Sequence, residues 1–207
     1  PSESPTSVDA GGTVSVTASD DSSIDAIAVA AAASIAGSGG DTSIGVSVGL
    51  ALAHNRIDKD VTASIVDVSS VLTDGGDVVV AATDAADIEV VSFAAALAVA
   101  IGNTGVGVAG GASESTNIIL TRTNAYIENS AIGSASEKVG KVDIDASSSS
   151  SIDATVAGVA ASVAIGTSSA GVGIAVGIGV ARNFIGWDPT GDTSVVPDYD
   201  TNHAPLT

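Results

Sequence analysis

Few residues of this chain could do chemistry. The chain has no Cys and only two His, His54 and His203, so a thiolate metal site, a disulfide framework and a Cys nucleophile are excluded. His54 lies close in sequence to Asp58 and Asp60, but no other segment repeats this base–carboxylate pair, and a solvated strand end is the better interpretation. No constellation of nucleophile and base emerges. We therefore expect a protein that is not an enzyme.

An acidic, turn-rich segment near the C-terminus carries oxygen ligands of the kind that Ca²⁺ prefers. Its candidate metal ligands are Asp188, Asp192, Asp198 and Asp200. Their spacing matches neither the EF-hand loop nor the RTX nonapeptide, and a solvated acidic loop is the competing explanation. From this segment and the net charge of −18 we expect calcium or another divalent cation to stabilise the protein modestly. We expect no cofactor to be required for the fold.

A glycine pattern at 105–110 has the G-x-G-x-x-G spacing of dinucleotide-binding loops. In the corresponding segment further along the chain, Val176 replaces the last Gly, and no βαβ unit surrounds either segment. Alternating glycines in a tightly packed strand explain the pattern better than a cofactor site does.

Composition excludes several classes of protein. Six Lys+Arg stand against 24 Asp+Glu, which argues against binding to nucleic acid or to anionic lipid. Aromatic residues make up 2% of the chain, so any core consists of small aliphatic side chains arranged in many similar layers. This predicts a repetitive, elongated architecture. Because the chain contains no Met, we also expect it to be a processed or internal part of a longer polypeptide.

The sequence repeats with a period of 64 residues. Val14, Val78 and Val142 are separated by this step, as are Ile24, Ile88 and Ile152. Asn55 and Asn183 are two steps apart, and the nearest Asn in the middle copy is Asn117, so the copies differ slightly in length. We expect a lead-in segment at 1–10 and repeats at 11–74, 75–138 and 139–207, the last with the acidic C-terminal loop.

Within a copy, polar and apolar residues alternate with period two, as in strands with one buried face. A polar corner at Ser19–Ser23, an apolar run, a glycine-rich turn, a returning run and a final strand at Val61–Val68 follow in order. In the returning run 171–180, Val and Ile point one way and Gly and Ala the other. We expect the branched face to fill a core and the Gly/Ala face to admit another backbone layer.

Two helical interpretations compete with this one. The uncharged segments 90–113 and 154–181 are long enough to cross a bilayer as helices, but a central turn, many glycines and period-two alternation oppose that reading. The segment Ala26–Ala36 has good helix propensity, so a short buried helix there is an alternative. The matching segments contain Val, Ile, Thr and Gly and favour strand. We predict an all-β, elongated β-solenoid or β-helix-like stack of three repeats.

Three segments carry a family resemblance. The sequences GGDVVVAATDAADIEVV at 75–91, GASESTNIILTRTNAYIENSAI at 111–132 and GVGIAVGIGVARNFIGWDP at 171–189 resemble the repeats of very large bacterial surface proteins. These are the beta-strand-repeat, filamentous-haemagglutinin-like or leukotoxin-type filamentous adhesins. The resemblance extends from about Gly11 to Trp187. It implies a secreted, extended β-solenoid with an adhesive or scaffolding role and implies no catalytic residues.

These observations lead to one expected function and two rivals. We expect a structural segment of a secreted bacterial adhesin or extracellular fibre, located outside the cell or at its surface. Its partners would be further repeats or copies of itself, and a surface or glycan target; nucleic-acid binding and membrane insertion are not expected. A glycan- or ice-binding solenoid is the alternative, weakened because the row Thr13, Ser15, Thr17 is not kept in the other copies. A β-helix lyase lacks the clustered basic residues it needs. Whether strands are shared between chains stays open.

Overall fold

The computed structural model of the protein describes residues 6–186, which form eight β-strands and no helix. Six of the strands are long, and two are short. The strands are β1 Ser7–Ala10, β2 Val14–Gly37, β3 Thr42–Val66, β4 Ser70–Thr73, β5 Val78–Gly102, β6 Thr104–Glu128, β7 Val142–Gly166 and β8 Gly171–Gly186.

Each repeat contributes a strand, a short arc and a returning strand, and these two strands belong to different sheets. The first sheet has the order β2-β5-β7 and the second has the order β3-β6-β8. All pairings are parallel, because equivalent strands of successive repeats lie side by side. The result is a two-layer stack of three arches. The expectation of an all-β, solenoid-like stack of repeats is confirmed.

The register of the first sheet follows the sequence period. Val14 pairs with Val78 and Val78 with Val142, so identical or similar residues are stacked along the axis. In the second sheet Thr42 pairs with Thr104, a step of 62, whereas Gly105 pairs with Gly171, a step of 66. The arc of the middle repeat is therefore two residues shorter than the other two arcs. This is the length change that the position of Asn117 indicated.

A third, short stack joins one repeat to the next. Strand β1 pairs in parallel with β4, and Val71 of β4 forms a bridge to Ile132 of the following repeat. The chain turns into this stack at Asp67 and Asn129, which have φ of 56° and 45°. Both side chains belong to types that tolerate the left-handed region, so the turn recurs in both copies.

Several local predictions were wrong. Residues Ser19–Ser23 form no corner, because β2 continues straight through them. Residues Ala26–Ala36 lie in the same strand, so the favoured strand assignment is confirmed there against the helical alternative. Residues 61–66 are not a separate final strand, because they are the end of β3. The period-two pattern continues unbroken through the polar and Ala-rich segments of β2, and continuous parallel pairing with β5 outweighs local helix propensity there.

The two ends of each arch differ in packing. We call the part next to the third stack the base half and the part next to the arc the arc half. In the middle repeat the base half is Val78–Glu89 with Thr116–Glu128, and the arc half is 90–115; the other repeats are divided at the paired positions. The base half has a conventional core, in which Val78, Val80, Ile88 and Ile119 are fully buried between the sheets.

In the arc half the interior consists of Gly, Ala and Ser, apart from Val90 and Val156 next to the base half. A Cβ atom added at Gly45 would lie 2.7 Å from the carbonyl oxygen of Val99, and one added at Gly49 would lie 2.6 Å from that of Ala95. The two backbones therefore approach more closely than the usual separation of about 10 Å between packed sheets allows. The branched residues lie on the outside, so the expectation that they fill the core was wrong. This close approach is possible because glycine has no Cβ that would meet the facing backbone.

Candidate functional surfaces

The residues singled out in the sequence are not gathered into one site. The calcium candidates Asp188, Asp192, Asp198 and Asp200 lie outside the described residues. His54 is exposed, but it lies within β3 rather than at a strand end, and its pairing partner in β6 is Thr116. The glycine pattern at 105–110 is part of strand β6, as expected from its alternation.

One serine has nucleophile-like spacing that the sequence reasoning missed. Ser47 lies in Gly45–Gly49, which matches G-x-S-x-G. Here the segment is straight strand rather than a turn from strand to helix. The Ser47 hydroxyl is buried between the sheets and has no hydrogen-bond partner among the described residues. The spacing therefore reflects small residues at a close sheet interface.

A ladder of asparagines crosses all three repeats. Asn55 Nδ2 donates a hydrogen bond to Asn117 Oδ1 at 2.8 Å, and Asn117 Nδ2 donates to Asn183 Oδ1 at the same distance. Asn117 is fully buried and also exchanges hydrogen bonds with Ser115. Because each amide has one donor group and one acceptor directed along the axis, a further repeat would continue the ladder at either end.

A buried carboxylate divides the core of the base half. Asp84 is fully buried between the sheets, and Ser148 Oγ donates to its Oδ2 at 3.0 Å. Its Oδ1 has no hydrogen-bond partner within residues 6–186. On the neighbouring strand, Asp20 lies in register with Asp84, and Lys59 Nζ is 3.5 Å from Asp20 Oδ1. This polar layer separates the two apolar clusters of the base half.

Ion pairs on the outer face of the second sheet join neighbouring repeats. Arg122 of β6 contacts Asp60 of β3, and Arg182 Nη1 lies 2.6 Å from Glu114 Oε1. The hydrogen bond from Arg122, helped by one from Thr62, holds the pKa of Asp60 below its ordinary value. The same hydrogen bond raises the pKa of Arg122. These groups are exposed, so their effect on stability is small.

Both strand edges of the stack are open in the described part of the chain. The Val14 N–H donates to the Asp77 carbonyl at 2.9 Å, and the Val78 N–H donates to the Lys141 carbonyl at 2.8 Å. Even-numbered backbone groups of the first sheet thus point toward the next repeat. Since the direction alternates along a strand, odd-numbered groups of β2 point to one open edge and even-numbered groups of β7 to the other. The two edges are complementary to each other.

The outer faces of the arc half form two apolar strips. The first-sheet strip lies on β2, β5 and β7, and the second-sheet strip lies on β3, β6 and β8. Leu97 on the central strand β5 is 40% exposed although strands flank it on both sides. The exposed large residues of the first-sheet strip are Ile27, Val29, Ile35, Val91, Phe93, Leu97, Ile101, Val159, Val163 and Ile165. Those of the second-sheet strip are Ile44, Val46, Val48, Leu50, Leu52, Val172, Ile174, Val176 and Ile178.

Neither a metal centre nor a membrane helix emerges from the described residues. Within 6–186, no three side chains among His, Cys, Asp and Glu are grouped so that they could hold a metal ion. The same part of the chain contains no helix of the length and hydropathy needed to cross a bilayer.

Comparison with known protein families, curated proteins and solved structures found no match to this chain. The functional argument therefore depends on the surfaces described above.

Proposed function

We infer that this chain is a structural segment of an extracellular fibre or secreted bacterial adhesin, and that it works by continuing the stack of arches along one axis. The observation that carries this inference is the complementarity of the two open edges. The open edge of β7 presents even-numbered N–H and C=O groups, which are the ones that β5 uses to pair with β7. The open edge of β2 presents odd-numbered groups, which are the ones that β5 uses to pair with β2. A further repeat, or a second copy, can pair there without any change in register.

Two other features support growth along this axis. The asparagine ladder ends on Asn55 and Asn183, each with hydrogen-bonding capacity left along the axis. Inter-repeat contacts such as Ser148 with Asp84 use the same 64-residue step as the backbone pairing. Stacked repeats stabilise one another because each covers a face of its neighbour.

Location outside the cell and adhesion to a surface or glycan are part of the proposal. They are supported by the resemblance to the repeats of bacterial surface proteins. Calcium binding by the acidic C-terminal segment likewise stays a prediction. No specific observation supports the glycan- or ice-binding alternative, because outer residues that pair across the repeats, such as Ser15, Val79 and Asp143, differ in chemistry.

The test is filament growth with one edge blocked. Ser19 is odd-numbered, so its N–H points to the open edge of β2, and Ser19→Pro removes a donor there without removing a bond to β5. We expect wild-type protein at high concentration to form filaments in electron micrographs and Ser19→Pro to remain in short particles. Ser19→Ala, which keeps the N–H, is the matched control and should grow like the wild type. Strictly monomeric wild-type protein would contradict the proposal.

A further inference from the structure

The polar layer inside the base half changes its composition from repeat to repeat. In the first repeat the Asp20 carboxylate lies opposite Lys59, with 3.5 Å between Nζ and Oδ1. In the middle repeat the residue in register with Asp20 is Asp84, and the residue in register with Lys59 is Thr121. The middle repeat therefore keeps the carboxylate inside the arch and replaces the ammonium group with a short hydroxyl side chain.

Among the described residues, Asp84 is the charged group of this layer that has no counterion. It is fully buried, and its Oδ1 has no hydrogen-bond partner within 6–186. Lys59 forms its ion pair with Asp20 rather than with Asp84. Two carboxylates and one ammonium group leave one negative charge inside the arch, and neighbouring strands about 4.8 Å apart hold the two carboxylates close together. An unpaired buried charge is costly, so this layer needs a further positive charge.

Hydroxyl oxygens lie beside the Asp84 carboxylate. Ser148 Oγ donates to Asp84 Oδ2 at 3.0 Å and lies 3.4 Å from Thr121 Oγ1, so Thr121 faces the same part of the interior. Next along the two strands, the buried hydroxyls of Ser150 and Thr123 have no hydrogen-bond partner in the described part of the chain. Carboxylate and hydroxyl oxygens are ligands for hard cations. A water molecule would satisfy the hydrogen bonds but would leave the charge of Asp84 in place.

We propose that a monovalent metal cation such as Na⁺ binds inside the middle arch, with Asp84 Oδ1 as its charged ligand and the hydroxyls of Thr121 and Ser148 as further oxygen ligands. One positive charge neutralises the layer. Ca²⁺ takes about six to eight oxygen ligands, usually including several carboxylates. No group of three acidic or His side chains suited to a metal ion is present within residues 6–186. The ligand set therefore favours a singly charged ion that is held weakly.

The ion reaches this site through the open end of the stack. Asp84 itself is fully buried, but the side chains of Asp20 and Lys59 are 25% and 43% exposed. Solvent therefore reaches the polar layer from the edge of β2. Growth along the axis would cover this edge with another repeat. Cation binding by the isolated chain does not depend on that growth, so it is independent of the proposed fibre.

Melting temperatures in sodium chloride and in choline chloride test the site. Choline has methyl groups that prevent direct coordination by oxygen, and equal concentrations of the two salts screen the net charge of −18 equally. With a chelator present to remove divalent cations, we expect the wild type to melt about 3–6 °C higher in Na⁺ once its concentration is about ten times its Kd. Asp84→Asn, which keeps the shape but removes the charge, should lose this difference. Glu89→Gln removes the same charge from the outer face of β5 and should keep it.

Two results in these salts would overturn the inference: equal melting temperatures of the wild type, or a difference that Asp84→Asn retains. Calcium, added without chelator, distinguishes the site from the acidic C-terminal segment. Ca²⁺ acting at that segment should shift the melting temperatures of wild type and Asp84→Asn equally. A shift that Ca²⁺ produces and Na⁺ does not, and that Asp84→Asn loses, would contradict the choice of a monovalent ion.

A second variant restores the arrangement of the first repeat. Thr121→Lys places an ammonium group opposite Asp84, as in the ion pair between Lys59 and Asp20. We expect this variant to melt above the wild type in choline chloride and to show no response to Na⁺, because its own charge replaces the ion. Ala85→Lys adds the same charge to the outer face of β5 as a matched control and should keep the response. A Thr121→Lys variant that retains the wild-type response to Na⁺ would show that no cation binds beside Asp84.

Discussion

The base half and the arc half of each arch use the same backbone pairing but reverse the placement of their side chains. In the base half, large residues such as Ile88 lie inside, and polar residues such as Thr17 lie outside. In the arc half, Gly49 lies inside, whereas Val48 and Leu50 lie outside. The base half therefore buries its own apolar surface. The arc half is held by close backbone contact and leaves apolar surface exposed on its outer faces.

The largest expected effect compares two aliphatic side chains on one strand. Ile88 in the base half is fully buried, whereas Leu97 in the arc half is 40% exposed. Ile88→Ala should lower the free energy of unfolding by about 2–5 kcal/mol because it leaves a cavity. Leu97→Ala should cost about 1 kcal/mol in dilute solution, because much of the Leu side chain is already exposed to water in the folded unit. Equilibrium urea denaturation of both variants measures the difference, and equal losses would erase the distinction between the halves.

The second prediction concerns glycine at two adjacent positions of β6. Gly111 faces the inside, where an added Cβ would meet the backbone of Val159, and Gly110 faces outward into open space. Gly111→Ala should therefore destabilise the fold by about 1–3 kcal/mol through overpacking. Gly110→Ala serves as its control and should be neutral or stabilise by up to about 1 kcal/mol. Thermal and urea unfolding report both values. If Gly111→Ala is tolerated, the sheets are not held in backbone contact.

The third prediction tests the boundary between the halves, where the asparagine ladder lies. Asn117→Ala removes the central amide and leaves the donor of Asn55 and the acceptor of Asn183 without their partner. We expect a loss of about 1–3 kcal/mol, because the fully buried Ser115 also loses its hydrogen-bond partner. Asn183→Ala removes only one rung at the edge and should cost less. Denaturation curves for the two variants should rank in that order, and the opposite ranking would contradict a cooperative ladder.

The smallest expected effect is the pH dependence of the outer ion pair between Asp60 and Arg122, which lies in the base half. The pKa of Asp60 is lowered in the folded state, mainly by the hydrogen bond from Arg122. Its contribution is therefore present above the unfolded pKa, near 3.8, and is lost as the pH falls through the lower folded value. Because the pair is exposed, the effect is slight. Melting temperatures of wild type and Asp60→Asn should converge at acidic pH, and an unchanged gap would show that the pair contributes nothing.

Much of the fold could be predicted from particular residues. The 64-residue step of Val14, Val78 and Val142 predicted the stack of repeats, and it is also the register of the first sheet, because equivalent residues of stacked repeats pair. The offset of Asn117 indicated a length change, and the structure locates it in the middle arc. The candidate surfaces were harder to predict. Asn55 and Asn183 were noticed as repeats, but the ladder through Asn117 depends on which copies lie side by side.

The sequence by itself determined that the chain is a stack of β repeats. Period-two alternation indicates the strands, and the constant step between equivalent residues indicates the repeats; both can be seen without knowing how the strands pack. It also determined that one face of the returning strand is branched and the other small. Only the tertiary structure decided which of these faces lies inside. Strands 25 residues long continue straight past the polar segments, and the close fit of Gly45 and Gly49 against the backbone of β5 turns Ile44 and Val46 outward. Side-chain alternation is a property of one strand, whereas the choice of the buried face depends on how closely two sheets can approach.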